Sequence, residues 1–198
     1  MTLLVVVDPA GLVPTFLAIT QDIPKRSRRV VALRAALIAA GILAGAALFG
    51  DWLLRMLSIS LPAFRIAGGL LLFSIASEMV FGVRTQRQSR AAKLALAEHV
   101  RNISAFPLAI PLMAGPGAIT ATILLSSRAG HDLTMLAILL GVIAVVCAIS
   151  FAVFIAASRI GKIIGSTGNI VLTRLLGVLL AALAVQFVVD GVRSIIAG

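Results

Sequence analysis

The sequence predicts an all-α, polytopic membrane protein: six transmembrane helices as an inverted 3+3 repeat, with helices 1 and 4 broken by proline and glycine. Three observations predict it. Of the residues, 61% are apolar and 12% charged, with a mean hydropathy of +1.14, whereas soluble domains carry about 25% charge. The apolar residues gather into six runs, 3–20, 30–50, 61–82, 103–127, 133–157 and 174–196. Each is near the roughly 20 residues that a helix needs to cross a bilayer. The chain also repeats itself. Arg65-Ile-Ala-Gly68-Gly-Leu-Leu returns 109 residues later as Arg174-Leu-Leu-Gly177-Val-Leu-Leu, and Gly82-Val83-Arg84 returns as Gly191-Val192-Arg193. With three crossings in each half, the second copy enters the membrane from the opposite side.

The first run contains VVVDPAGLVPTFLAIT, with Pro9 and Pro14 on either side of Gly11. A proline lacks the N–H and clashes with the carbonyl four residues back, so the helix kinks or unwinds there. Asp8 is an ionisable group inside an apolar run, which marks it as functional. It is expected to bind a substrate ammonium or take up a proton, or else to cap a helix segment begun by Pro9. No basic leader precedes the run and an acid interrupts it, so it reads as a retained span rather than a signal peptide.

In the second run, Gly41 and Gly45 with Ala36, Ala40 and Ala44 place small residues every fourth position, which lets helices approach closely. Packing within the chain is the first expectation, and a homodimer contact the second. The third run begins near Arg65 and carries Glu78 toward its far end, a second candidate for proton coupling after Asp8. Arg65 and Arg174 occupy matching positions just inside their spans. They are secondary site candidates, suited to a lipid phosphate, an acidic partner or a substrate carboxylate, or else are snorkelling anchors.

Residues 84–102 form a basic, alanine-rich linker between a first repeat, 1–83, and a second, 103–198. The fourth run mirrors the first, with Pro107, Pro111 and then AGPGAIT from Ala114 to Thr120. A half-helix starting after Gly117 directs free N–H groups and a positive dipole end at a carboxylate. Carbonyls freed at the breaks suit an ammonium or a small cation. Together with hydroxyls at Thr15, Thr120 and Thr122, the breaks define an expected substrate-binding set of Asp8, Pro9, Gly11, Thr15, Gly115, Pro116, Gly117 and Thr120. The fifth run is free of charge from Leu133 to Ala157, and in the sixth Asp190 is expected to pair with an arginine.

A net charge of +10 would suggest nucleic acid in a soluble protein. Here 13 of the 17 basic residues fall on one side of the six-span topology, leaving Arg55, Arg65, Arg128 and Arg193 on the other. By the positive-inside rule both termini lie outside. Cys147 is the only cysteine and only two histidines are present, so neither an internal disulfide nor a metal site or other cofactor is expected. No nucleophile, base and orienting group converge, so an enzyme is not expected. The lack of GxxxxGK[ST] leaves no nucleotide site to power transport directly.

The segments VDPAGLVPTFLAIT (7–20), LPAFRIAGGLLLFSIASEMVFG (61–82) and FPLAIPLMAGPGAIT (106–120) resemble the MarC family of bacterial inner-membrane proteins, over essentially the whole chain. The resemblance implies six spans, a place in the bacterial inner membrane and a fold related to amino acid exporters. It places the family's acid-proline-glycine motif on Asp8, Pro9 and Gly11, and its glycine-proline-glycine motif on Gly115, Pro116 and Gly117. With nine Phe, one Trp and no Tyr, the chain lacks the aromatic lining expected of a drug exporter. The functional expectation is a secondary transporter of small polar metabolites, neutral amino acids foremost, with proton coupling through Asp8 or Glu78. The alternatives are a channel for water, ions or small solutes built on the two half-helices, and a non-transporting scaffold.

Overall fold

The computed structural model describes residues 1–20, 24–83, 86–87, 104–129 and 132–196. The linker 84–102 therefore lies almost wholly outside the described residues, Gln86 and Arg87 excepted. The described residues are mostly helical, and no strand is present among them. Two short helices, α1 (Thr2–Val7) and α2 (Val13–Ile19), flank the first break. They are followed by α3 (Lys25–Met56) and α4 (Leu61–Phe81). Next come α5 (Ser104–Met113), a π-helix, then α6 (Pro116–Ala129) and α7 (Leu133–Ile196), the last interrupted at Gly165.

Among the described residues, four helices are long and apolar enough to cross a bilayer: Ser27–Met56, Leu61–Phe81, and the two arms of α7, Leu133–Ile160 and Thr167–Ile196. Their outward residues are the apolar ones that a soluble protein would bury. Leu70, Phe73, Leu175 and Val178 are all exposed. The inward faces are lined by small residues and by Leu72, Ala76, Met79, Leu180 and Ala184, all fully enclosed.

The ends of the elements are set by their sequences. Ser60 caps α4, its side-chain oxygen accepting from the Ala63 N–H at 3.4 Å, with Pro62 in the first turn. Asp132 starts α7 by accepting from the Thr134 N–H at 2.8 Å. Helix α4 stops at Gly82, whose φ of 78° suits only glycine well. Helix α3 stops with the same geometry but without glycine. Ile59 donates to the Leu54 carbonyl and Ser58 to the Arg55 carbonyl, a Schellman turn with Ser58 at φ 55°. The joint in α7 differs from a loop. Gly165 takes φ 64° and ψ −179° while its neighbours stay helical, a backbone region essentially closed to other residues. One residue thus replaces the connection that hydropathy placed across 158–173.

Helix α4 and the second arm of α7 pack most intimately, through glycines. A Cβ at Gly69 would lie 2.7 Å from the Ala184 carbonyl, one at Gly177 2.8 Å from Met79 Cβ, and one at Gly191 3.0 Å from the Pro62 carbonyl. As the number rises along one helix it falls along the other, so the two are antiparallel. Arg65 donates to the Ser194 hydroxyl at 3.4 Å along the same seam. The recess holding Met1, Leu125 and Met135 adjoins a second one lined by Arg55, Ser126 and Leu136. Met1, the last described turn of α7, the α3–α4 turn and the start of α7 therefore share one face of the molecule.

Gly41 and Gly45 do not follow the expectation of packing within the chain. Nothing lies within 4 Å of a Cβ at either, because α3 turns Ala32, Ala35, Ala36 and Ala39 inward instead.

Candidate functional site

The first segment runs beside the first arm of α7. Leu3 and Leu139 line one recess near one end, and Phe16 stacks on Phe154 at a centroid distance of 4.7 Å near the other. Those positions on α7 are separated by about 22 Å of helix rise at 1.5 Å per residue, so the segment advances through the molecule despite its break.

The break itself is built around Asp8. Its N–H completes α1 by donating to the Leu4 carbonyl at 3.0 Å, and its backbone then turns left-handed, with φ 50° and ψ 64°. Asp and Asn tolerate that region better than most residues because their side chains bond locally. Here the Asp8 Oδ1 accepts from the Gly11 N–H at 3.0 Å, with Asp8 only 1% exposed. A Cβ at Gly11 would run into the Asp8 carboxylate, so glycine is required for the turn to close over the acid. The Leu12 N–H reaches the Asp8 carbonyl at 3.3 Å and the Val13 N–H the Ala10 carbonyl at 3.1 Å. Asp8 thus ends α1 and braces the turn, but it does not cap a helix begun by Pro9: the helix resumes at Val13, with Leu12 at its N-cap and no side-chain bond there. Pro9 instead occupies the turn, where its missing N–H leaves nothing unsatisfied.

The second break also differs in detail from expectation. Pro107 and Pro111 fall within the π-helix α5, which closes with the Ala114 N–H on the Ala109 carbonyl at 2.9 Å. Helix α6 resumes at Pro116, one residue before Gly117, and the Ile119 N–H finds the Gly115 carbonyl at 3.0 Å. Proline suits the first helical position, where an N–H would be orphaned.

Gly117 brings the two breaks together. It is buried, and a Cβ there would collide with the Ile75 side chain and sit 3.5 Å from both Val6 and Leu72. Val6 is two residues before Asp8. One turn further along α6, the Thr120 methyl seats against Gly68 of α4, which gives that repeated glycine its purpose. Thr15 is buried on α2. Thr122, in contrast, turns its hydroxyl onto its own helix, donating to the Ala118 carbonyl at 2.7 Å.

Of the remaining candidates, Glu78 pairs with Arg87 at 2.6 Å at the end of α4, one helical turn beyond the Ile75 that abuts Gly117. Arg65 is engaged with Ser194, and Arg174 is exposed on α7. Asp190 accepts from the Gln186 amide at 2.7 Å. Among the described residues no group of three histidines, cysteines or acids could hold a metal ion.

Beside the first break opens a cleft of about 730 Å³. Asp8, Pro9 and Ala10 form one wall, Ile149 and Val153 of the first α7 arm another, and Leu176, Leu183 and Gln186 of the second arm a third. Gln186 escaped the reading of the sequence. Its only signal there is that it is the sole amide side chain in the sixth apolar run.

The model of a family described as MarC family integral membrane protein matches residues 1–196. Similar proteins include a UPF0056 membrane protein of Methanocaldococcus jannaschii, 38% identical over 96% of this chain and 91% of its own. A UPF0056 membrane protein of Aquifex aeolicus is 37% identical over 99% and 91%. The UPF0056 membrane protein YhcE of Escherichia coli is 36% identical over 99% and 91%. No solved structure matches.

Proposed function

The chain belongs to the MarC family of integral membrane proteins, and from that membership and the geometry of the first break we propose that it is a secondary transporter of small polar metabolites, most of all neutral amino acids. One observation carries the reading: a buried carboxylate sits in a helix break and borders a cleft large enough for such a solute. A charge held inside a membrane protein is costly, and it is found where ions, protons or charged substrates move. Broken backbone at that depth is tolerated where it lines a cavity. The proposal includes six crossings in two inverted halves within the bacterial inner membrane, both termini outside. The antiparallel pairing of α4 with the second arm of α7 supports the inversion, since third spans of inverted halves run in opposite directions.

In this reading Asp8 receives the substrate ammonium or the coupling proton. The amino end of α6, which abuts Val6, supplies the opposite polarity for a carboxylate. The aliphatic walls of the cleft take up an apolar side chain, and Gln186 stands across from Asp8 to orient the polar end. Proton coupling rests on Asp8 alone, because Glu78 is engaged with Arg87.

The test is counterflow in proteoliposomes with purified protein and a panel of labelled neutral amino acids, with and without a pH gradient. Saturable exchange that responds to the gradient is expected. A flux that never saturates would replace the carrier with a channel, and no flux for any solute would leave a scaffold.

A further inference from the structure

On the face that carries Met1 and the last described turn of α7, a second cleft of about 610 Å³ lies between the last turns of α3, the α3–α4 turn and the end of α6. It takes no part in the transport reading. Its floor holds an ion pair, Arg55 Nη2 to Asp51 at 2.7 Å, one helical turn apart. The two side chains are 65% and 41% exposed, so solvent and solutes reach both. Paired charges at that exposure stabilise the fold little and exchange partners readily. Arg55 also sits in the last turn of α3, where the helix dipole favours a cation independently of Asp51.

The cleft's chemistry is specific in two ways. Its charges are one of each sign, so its complement is a zwitterion rather than an anion or a cation. Its open side is apolar: Leu48, Trp52 and Ile59 line it and are all exposed, as is Phe49 alongside on α3. That side faces where hydrocarbon begins, since α3 is a candidate span up to Met56. A tryptophan at this level marks the interface between acyl chains and headgroups. The Schellman turn through Ser58 holds Ile59 and Ser60 in place as the far wall.

We propose that this cleft binds a zwitterionic phospholipid, its phosphate on Arg55, its headgroup ammonium on Asp51, and its acyl chains along Leu48, Phe49 and Trp52. The lipid opens the existing ion pair and replaces it with two, leaving no charge unmatched. A free amino acid offers the same pair of charges but no acyl chains to lie along the apolar side.

Trp52 is the only tryptophan in the chain, so its fluorescence reports on this cleft directly. The protein in neutral detergent is titrated with short-chain phosphatidylethanolamine, with phosphatidylglycerol of the same chains, and with glycine and leucine. A saturable change with phosphatidylethanolamine is expected, at least tenfold tighter than with phosphatidylglycerol, and with no response to the free amino acids. Asp51→Asn and Arg55→Gln should each weaken it tenfold or more. The double exchange Asp51→Arg with Arg55→Asp keeps the pair and guards against misfolding. It should recover most of the affinity with the headgroup reversed. Equal responses to the two lipids, or titrations unchanged in the single variants, would overturn the proposal. A response to amino acids alone would turn the cleft into a solute site.

Discussion

Two substitutions at Asp8 separate its structural duty from its chemical one. In Asp8→Asn the amide oxygen still accepts from the Gly11 N–H, now at 3.0 Å to the carboxylate, and asparagine is among the residues most at home at φ 50°. Its stability should therefore stay within about 0.5 kcal/mol of the parent. In Asp8→Ala the Gly11 N–H loses its acceptor in a site only 1% exposed, which costs about 1–3 kcal/mol. Alanine at a left-handed φ adds about 1–2 kcal/mol. The total, about 2–5 kcal/mol, corresponds to a fall in Tm of about 4–20 °C for a chain of this size. Thermal unfolding in detergent and gradient-driven counterflow are then measured on both variants. Asp8→Asn should fold normally and lose gradient-dependent exchange, whereas Asp8→Ala should lose both. An Asp8→Ala protein with unchanged Tm would refute the turn. An Asp8→Asn protein with full coupling would remove the charge from the mechanism.

Other expectations follow from packing and backbone geometry. Ser58→Gly relieves a non-glycine residue at φ 55° and should raise stability by about 1 kcal/mol, read as a higher Tm. Gly69→Ala places a Cβ 2.7 Å from the Ala184 carbonyl, which cannot move aside. It should lower stability by about 1–3 kcal/mol, whereas Gly41→Ala, with nothing within 4 Å, should change it by less than about 0.5 kcal/mol in either direction. Equal Tm values for those two would contradict the seam. Glu78→Gln removes an ion pair whose side chains are 20% exposed at Glu78 and 73% at Arg87, and should change stability by about 1 kcal/mol while leaving counterflow intact. Loss of coupling in that variant would restore Glu78 as a proton carrier.

Much of this architecture was legible in the residues because a bilayer reads composition bluntly. The second, third, fifth and sixth apolar runs became the four long helices, since unbroken hydrophobic length is all that a span requires. The breaks were legible too, because Pro9, Gly11, Pro116 and Gly117 act through their own backbone chemistry. Their registers were not. Whether a helix resumes at Pro9 or at Val13 depends on the Asp8 carboxylate reaching Gly11, an interaction across three residues that no propensity encodes. The π-helical winding of α5 left no mark on the apolar pattern. The α7 connection misled for a related reason: hydropathy falls across 158–173, yet the helical ladder persists up to a single glycine. Gln186 could be placed only by knowing which helix faces which. Periodicity identifies an apolar stripe, not its neighbour.

The glycine seam between α4 and the second arm of α7 also decides how the molecule can deform. Three notches at Gly69, Gly177 and Gly191 key one backbone against the other along most of their shared length, and neither helix slides without driving Cα atoms into carbonyls. That pair behaves as a single strut. The first segment is assembled differently, from two helices of six and seven residues joined by a short turn, with an open cleft between it and the strut. Any motion that exposes Asp8 to one membrane surface and then the other is therefore borne by the short helices and by the Gly165 joint, while the strut stays fixed as the frame against which they swing.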